Sequence, residues 1–205
     1  MINEAQQKAQ AFRDELLEKI ERTVKEYADG QLNREQFQQI YARYTERLTI
    51  ANMALMSGET SSVDAVQSDG SSTVALRSSL QGKALGLMVY HNKSGTIVET
   101  LGNPDVSVAL IGPLLNDLAD QIFGGRAVEP VIRHVGEKQW LVLLAGRLTI
   151  TVTQFRREPA PAQIRELRRL HQDFETADVH ALQKGIPTAD QLAYPFMAFV
   201  EKAIR

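Results

Sequence analysis

Six consecutive residues, Leu148–Thr153, alternate apolar and hydroxyl-bearing side chains, and this alternation constrains the fold more than any other feature of the chain. A two-residue period is that of a β-strand with one buried face. The dipeptide Gly146-Arg147 precedes it, and before that comes Trp140–Ala145, an apolar run typical of a central strand covered on both faces. Because so short a connection joins antiparallel strands, the chain is predicted to contain a β-hairpin within a sheet.

Segments on both sides of this hairpin complete a predicted sheet of five strands with helices. A polar turn, Asn92–Gly95, joins two apolar strands, and Pro113 is expected to kink or divide the helix that follows them. The predicted elements, in chain order, are strand Gly86–His91, strand Thr96–Leu101, helix Val106–Phe123, strands Val131–Val135, Gln139–Ala145 and Leu148–Phe155, and helix Ala162–Thr176. The predicted fold class is α+β, a five-stranded antiparallel sheet flanked by helices.

Composition and charge exclude several classes of protein. A chain of 205 residues with 43% hydrophobic residues can bury one main core and carry additional elements. The formal net charge of -2 gives no overall attraction to nucleic acid or to an anionic membrane, and the absence of cysteine excludes disulfides and thiolate nucleophiles. The first residues lack the apolar segment of a signal peptide, and no apolar run is long enough to span a bilayer. We therefore expect a soluble cytoplasmic protein without nucleic-acid binding or membrane insertion.

The N-terminal residues 1–56 are predicted to form an antiparallel helical hairpin. Asn33 is a favourable N-cap for the second helix, and Gln36 completes the pattern of a capping box. A short turn between the helices places them side by side, and the hairpin is expected to pack on the rest of the chain or on a second copy, or to dock on another protein. The first helix, Asn3–Ala28, has apolar residues every three or four positions, namely Ala5, Ala9, Phe12, Leu16, Ile20, Val24 and Tyr27.

Composition changes on either side of the central domain. Residues 57–72 are rich in Ser, Thr, Gly and Asp and are predicted to form a flexible linker. A short helix, Thr73–Leu80, is expected to lead into a central domain of residues 73–176. Residues 177–205 are predicted to form a C-terminal helical extension, whose apolar face docks on that domain. The residues of this face are Leu192, Phe196, Phe199, Val200 and Ile204.

The order of these elements and the run from Gly86 to Val98, GLMVYHNKSGTIV, resemble the roadblock family of dynein light chains and bacterial GTPase regulators. That family belongs to the wider longin and profilin-like architecture. In it a small residue opens an apolar strand, a polar turn ends in glycine, and a second apolar strand follows. Gly86, Gly95 and Ile97 occupy those places here, and the resemblance covers Thr73–Phe174, roughly half of the chain.

The resemblance implies a non-enzymatic scaffold or regulatory protein. Roadblock proteins dimerise by continuing one sheet into the other and by pairing their crossing helices, and the dimer binds small Ras-like GTPases or motor subunits. The chain itself favours such pairing, because Val131–Val135 has few features that would block edge-to-edge association if it lies at the margin of the sheet. The implied dimer interface comprises the helix residues Leu110, Leu114, Asp117, Leu118 and Gln121 and the strand residues Val131, Ile132, Arg133, His134 and Val135.

Chemically reactive side chains are few and scattered. His171 and Glu175 lie one helical turn apart, as many surface pairs do. Gly124-Gly125-Arg126 closes a helix, whereas glycine-rich phosphate loops open one. We therefore predict no catalytic residue, no metal site and no cofactor. The histidines, none with metal-ligand spacing to another, are His91, His134, His171 and His180.

Arginines cluster around the last strand and the helix after it, at Arg156, Arg157, Arg165, Arg168 and Arg169. Of these, Arg165, Arg168 and Arg169 are predicted to face outward from the helix and are candidates for contacting phosphates or an acidic partner. The alternative is a solvated face balanced by neighbouring Glu and Asp residues. A different function also stays open, that of a PAS-like or GAF-like small-molecule sensor, which requires a cavity between the sheet and its helices.

Overall fold

The computed structural model describes residues 4–57, 73–136, 139–185, 187 and 191–193, which form an α+β fold. The helices are α1 (Glu4–Ala28), α2 (Arg34–Ser57), α3 (Thr73–Leu80), α4 (Val108–Phe123), α5 (Pro161–Ala177) and α6 (Val179–Lys184). The strands are β1 (Ala84–His91), β2 (Ile97–Gly102), β3 (Val131–Gly136), β4 (Gln139–Ala145) and β5 (Thr149–Phe155). Every predicted strand is present, with ends that differ from the prediction by two residues at most. Within the described ranges, no helix has both the length and the apolar character needed to span a bilayer.

The first two helices form the predicted hairpin, and a capping box begins the second one. The Oδ1 of Asn33 accepts a hydrogen bond from the backbone N–H of Gln36 at 2.8 Å, while Gln36 Oε1 accepts one from the N–H of Asn33 at 2.9 Å. Both N–H groups would otherwise lack a partner at the helix terminus. The core between the helices contains Ala9, Phe12, Leu16, Leu32, Ile40, Tyr44, Ala51 and Ala54.

The buried stripe of α1 departs from the prediction in its last two turns. Thr23 is fully buried, whereas Val24 and Tyr27 are 44% and 40% exposed. Because successive helical residues are about 100° apart, the three-residue step from Ile20 brings Thr23 back toward the buried face, and the four-residue step carries Val24 further from it. The hydroxyl of Thr23 donates to the carbonyl of Lys19 at 2.7 Å, so its burial leaves no polar atom without a partner.

The short helix α3 is hydrogen-bonded to the hairpin. The Nδ2 of Asn33 donates to the carbonyl of Leu80 at 2.9 Å, and the Nε2 of Gln36 donates to the carbonyl of Arg77 at 2.8 Å. The guanidinium of Arg77 forms an ion pair with Glu26. The two residues of the capping box therefore also hold the carbonyl groups at the end of α3.

The chain divides into two compact units. The first takes in the described residues up to Gln81 together with Ala160–Ala162, and the second comprises Gly82–Pro159 and the described residues from Gln163 onward. The second unit thus begins after α3, which differs from the predicted start at residue 73 because α3 bonds to the hairpin. The predicted flexible linker, apart from its first residue at the end of α2, lies outside the described residues.

The second unit is built on a five-stranded sheet with the order β2-β1-β5-β4-β3 and antiparallel pairing throughout. The predicted five-stranded antiparallel sheet is therefore confirmed. β5 lies in the middle, where Val152 pairs with Met88 of β1 on one side and with Leu143 of β4 on the other. Because all residues of β5 are buried, the prediction that only one of its faces is buried is wrong. β2 and β3 are the two edge strands.

Both faces of this sheet are packed, because β1 and β4 carry apolar side chains on both sides. One face meets α5 and α6 in the α5-side core, which comprises Ala84, Leu87, Val89, Val98, Val142, Leu144, Phe155, Leu167, Leu170, Phe174, Leu182 and Leu192. The other face meets α4 in the α4-side core, which comprises Met88, Tyr90, Ile111, Leu118, Leu141, Leu143, Ile150 and Val152. Leu192 is part of the predicted C-terminal apolar face. The remaining residues of that face, Phe196, Phe199, Val200 and Ile204, lie outside the described residues.

The structure explains why two positions that carry the roadblock resemblance are glycine. A Cβ on Gly86 would lie 2.5 Å from the Cδ of Pro104, so no larger residue fits where the segment after β2 packs against β1. Gly95 has a φ of 66°, in the left-handed region, at the turn between β1 and β2. Helix α4 continues through Pro113 as a single element, so of the two expected outcomes, a kink or a division, the division does not occur.

Candidate functional site

β3 is an edge strand whose outer side pairs with no strand in the described part of the chain. Ile132 is 38% exposed, and Arg133 and His134 are exposed as well. Val131 and Val135 are half-buried against the α4-side core. Pairing with β4 is regular up to His134 and becomes irregular only at the C-terminal end. The strand therefore offers a regular backbone edge over most of its length.

Helix α4 packs in the same core as the valines of β3, and part of its own apolar surface stays exposed. Leu110 is 42% exposed, Leu114 and Gln121 are half-buried, and Asp117 is exposed. These residues follow one another at steps of four, three and four positions, so they lie along one side of the helix. The structure thus brings four of the five helix residues implied by the resemblance onto one accessible stripe.

Leu118 does not belong to that stripe. It is 1% exposed and packs with Ile111, seven positions earlier, in the α4-side core. Two residues seven positions apart lie on the same face of a helix, which here is the face toward the sheet. Unlike the other four helix residues, Leu118 therefore has almost no exposed surface in the single chain with which to contact a second copy. Two exposed apolar residues on the other flank of α4, Val108 and Phe123, are 75% and 61% exposed and were not predicted as part of a surface.

The predicted partner-binding arginines of α5 are exposed, but two of them already meet carboxylates. A guanidinium nitrogen of Arg168 lies 3.0 Å from a carboxylate oxygen of Glu129. The guanidinium of Arg169 lies 2.7 Å from a carboxylate oxygen of Glu166 and 2.7 Å from one of Asp173, both on the same helix. Ion pairs between exposed side chains contribute only about 0–1 kcal/mol each. Arg165 is exposed on the same helix. This side of α5 is therefore close to charge balance.

The carboxylate of Glu175 organises the turn between β4 and β5. It accepts hydrogen bonds from the backbone N–H groups of Arg147 at 2.9 Å, Leu148 at 2.8 Å and Thr149 at 2.7 Å, and from the Thr149 hydroxyl at 2.8 Å. A Cβ on Gly146 would overlap this carboxylate, so a larger residue there would displace the carboxylate from these hydrogen bonds. The end of α5 is thereby fastened to the sheet.

His171 extends the same network and is buried, in agreement with the prediction that it faces the sheet on the same side of the helix as Ile164, Leu167 and Phe174. Its Nε2 lies 2.8 Å from the hydroxyl oxygen of Thr149. Because the single hydroxyl proton goes to Glu175, His171 must donate through Nε2–H. Burial lowers the pKa of His171 from 6.5 to about 4, with the Glu175 carboxylate acting in the opposite direction, so the ring is neutral at pH 7.

The direction of these hydrogen bonds excludes a nucleophile at this place. In a catalytic triad the histidine accepts the hydroxyl proton, whereas here the proton of Thr149 points to Glu175. Thr149 is also completely buried. The arrangement of His171, Thr149 and Glu175 is therefore a structural clasp.

An open cavity of about 820 Å³ lies next to this clasp. Its walls come from the end of α4, the segment before β3, the β4–β5 turn and the second half of α5. The cavity lies at the end of the sheet and borders both cores, because its lining includes Leu144 of the α5-side core and Val128, which packs against the α4-side core. The titratable residues that line it are Arg126, Glu129, Arg147, Arg168, His171 and Glu175.

Other polar groups in the described ranges make structural contacts. His91 lies 3.0 Å from the Ser94 hydroxyl through Nδ1 and donates through Nε2 to the carbonyl of Leu182 at 3.2 Å. The ring of His134 packs 4.9 Å from that of Trp140. No group of three or more His, Asp or Glu residues that could hold a metal ion occurs among the residues that the structure describes.

No family model, curated protein or solved structure matches this chain. Its function is therefore inferred from the open edge of β3, the exposed stripe of α4 and the cavity at the end of the sheet.

Proposed function

We propose that this chain is a non-enzymatic regulatory or scaffold protein of the roadblock type, which homodimerises through β3 and α4 and binds a protein partner such as a small Ras-like GTPase in the cytoplasm. The observation that carries the proposal is the open edge of β3 with Ile132 exposed on it. The order of strands and helices adds support, because the resemblance rests on that order.

A second copy of β3 is the natural partner for this edge. An unpaired strand leaves backbone N–H and C=O groups without protein partners, and an identical strand running antiparallel supplies them. A two-fold axis perpendicular to the sheet would place both copies of α4 on the same side of the joined sheet. A register centred on Ile132 brings two isoleucines together, whereas one centred on Arg133 opposes two positive charges. We therefore favour a two-fold axis at Ile132.

A sensor function in its PAS-like or GAF-like form receives less support. Such a domain needs a cavity between its sheet and its helices. Here those two spaces are occupied by buried side chains of the α4-side and α5-side cores. The described cavity lies at the end of the sheet, where it borders these cores without replacing their side chains.

The mass of the protein in solution tests the dimer. We expect a dimer for the unsubstituted chain and a monomer for Ile132→Lys, because a lysine on the paired edge places two like charges at the interface. Ile97→Lys is the matched control, since Ile97 is an isoleucine of similar exposure, 49%, on the opposite edge strand β2. A monomeric unsubstituted chain, or equal loss of dimer in both variants, would contradict the proposal. The measurement is light scattering or sedimentation equilibrium.

Binding to purified small GTPases tests the partner class. A panel of Ras-like GTPases, each loaded with GDP or with a GTP analogue, is titrated with the full chain and with Ile132→Lys. We expect at least one GTPase to bind in one nucleotide state and to lose affinity for the monomeric variant. If no GTPase binds although the chain is a dimer, the partner class is wrong and the dimer proposal stands alone.

A further inference from the structure

Three arginines and two glutamates line the cavity at the end of the sheet. They differ in whether the charged group already interacts with another group of the protein. Glu129 forms an ion pair with Arg168 at 3.0 Å. The Glu175 carboxylate accepts three backbone hydrogen bonds and one hydroxyl hydrogen bond from the β4–β5 turn. Both negative charges are therefore engaged. Neither Arg126 nor Arg147 forms an ion pair within the part of the chain that the structure describes.

The carbonyl groups at the C-terminal end of α4 do not need the Arg126 guanidinium as a hydrogen-bond donor. Carbonyl groups at a helix C-terminus attract cations when they lack partners. At this helix end they already accept hydrogen bonds at 2.9–3.0 Å from the backbone N–H groups of Gly124, Gly125 and Arg126. The guanidinium groups of Arg126 and Arg147 are thus two exposed positive charges that line one cavity and form no ion pair with the described residues.

Most of the other lining residues are apolar, and the cavity has a size that suits a small organic molecule. Ligand cavities have volumes of roughly 300–1,000 Å³ and combine apolar walls with a few polar groups. This cavity, at about 820 Å³, falls within that range. Its apolar lining includes Ile122, Val128, Pro130, Leu144, Leu148 and Val179.

We propose that this cavity binds a small organic anion, with an apolar body against these walls and a phosphate or carboxylate group held by Arg126 and Arg147. Guanidinium groups suit this role because their N–H donors match the oxygen atoms of both anions. The site lies within the second unit and does not depend on dimerisation, so it can be tested whether or not the chain binds a GTPase.

Titration of the isotopically labelled full chain, followed by NMR, tests the site. The probes are phenyl phosphate, benzoate and uncharged phenol, which share a ring and differ in the charged group. The reporters are the backbone amide signals of the β4–β5 turn. The test variant is Arg126→Gln/Arg147→Gln. The control is Arg156→Gln, which removes one positive charge from an exposed arginine that does not line the cavity.

We expect saturable shifts of the turn amides with phenyl phosphate or benzoate, and affinity about tenfold weaker or more in the double variant, because two charge-assisted contacts are lost. Arg156→Gln should stay within about twofold of the unsubstituted chain, because only screened long-range charge is lost. The tighter of the two anions identifies the charged group. Absence of saturable shifts with both anions would overturn the proposal, as would equal binding of phenol or equal weakening in Arg156→Gln.

Discussion

The carboxylate of Glu175, near the end of α5, lies 2.7 Å from the backbone nitrogen of Thr149 at the start of β5. The same carboxylate accepts three further hydrogen bonds, from the backbone N–H groups of Arg147 and Leu148 and from the Thr149 hydroxyl. One side chain therefore supplies the hydrogen-bond acceptor for four donors at the turn between β4 and β5. Hydrogen bonds to a charged acceptor are stronger than those between neutral groups. We therefore expect this contact to dominate the stability of this end of the sheet.

Removal of the Glu175 carboxylate should lower the free energy of unfolding substantially. Glu175→Ala leaves three backbone N–H groups and a hydroxyl without their acceptor, for an expected loss of about 2–4 kcal/mol in urea denaturation at pH 7. Glu166→Ala is the control on the same helix, because Glu166 forms an exposed ion pair with Arg169 and should cost less than about 1 kcal/mol. Equal losses in the two variants would show that the turn does not depend on Glu175.

Two buried threonines of β5 should respond differently to the same substitution. Thr149 and Thr151 are both completely buried, but the Thr149 hydroxyl bonds to His171 and Glu175 whereas Thr151 Oγ1 has no partner in the described structure. Thr149→Val should cost about 1–3 kcal/mol, and Thr151→Val should be neutral or stabilising by up to about 1 kcal/mol. Thermal and urea unfolding of both variants measure this difference. A comparable cost at Thr151 would reveal a partner for its hydroxyl.

The buried imidazole of His171 should make the fold less stable in mild acid. Its pKa is lowered from 6.5 to about 4 by burial. Between these pH values the unfolded chain binds a proton that the folded chain does not, so the free energy of unfolding falls as the pH falls. At about 1.4 kcal/mol per pKa unit, the loss between pH 7 and pH 4 is on the order of 3 kcal/mol.

Urea unfolding at a series of pH values, compared between two histidine variants, isolates this contribution. His171→Gln keeps an amide donor for Thr149 but cannot titrate, so its stability should vary less steeply with pH. His180→Gln is the control, because His180 is exposed on α6 and should leave the slope of the unsubstituted chain unchanged. An unaltered slope in His171→Gln would assign the acid sensitivity to other groups.

A single cysteine on β3 should capture the proposed dimer covalently. The chain contains no cysteine, so a disulfide in a one-cysteine variant can form only between two copies. Residues opposed in an antiparallel pair have Cα atoms about 4.5–5.5 Å apart, which suits a disulfide. Ile132→Cys should therefore give a linked dimer on a non-reducing gel after mild oxidation. Ile97→Cys, on the opposite edge strand, should stay mainly monomeric, and equal linking of both would indicate random collision.

Much of the fold follows from patterns that span only a few residues. The alternation of Leu148–Thr153 locates β5, and the pair Asn33 and Gln36 locates the start of α2. Gly95 marks the turn between β1 and β2. Such signals arise from the geometry of a single element, which the order of residues displays directly.

The remaining features depend on how distant elements are placed against each other. No local pattern around Glu175 indicates that its carboxylate reaches a turn 26 to 28 positions earlier, because the position of α5 along the sheet decides this contact. The assignment of α3 to the hairpin rests on hydrogen bonds that join residues 41 and 47 positions apart. The cavity, and the placement at it of two arginines that form no ion pair with the described residues, arise from the same long-range placement, so the sequence could not indicate them.

The position of β5 in the sheet also determines when the second unit can fold. β5 is the last of the five strands along the chain, yet it joins β1 to β4. During synthesis the pairs β1–β2 and β3–β4 emerge before the strand that unites them, and β1 and β4 each present an unpaired apolar edge until then. Such edges are where nascent chains aggregate or recruit chaperones. The helical hairpin has mainly local contacts and can form early, whereas the sheet must wait for its central strand to leave the ribosome.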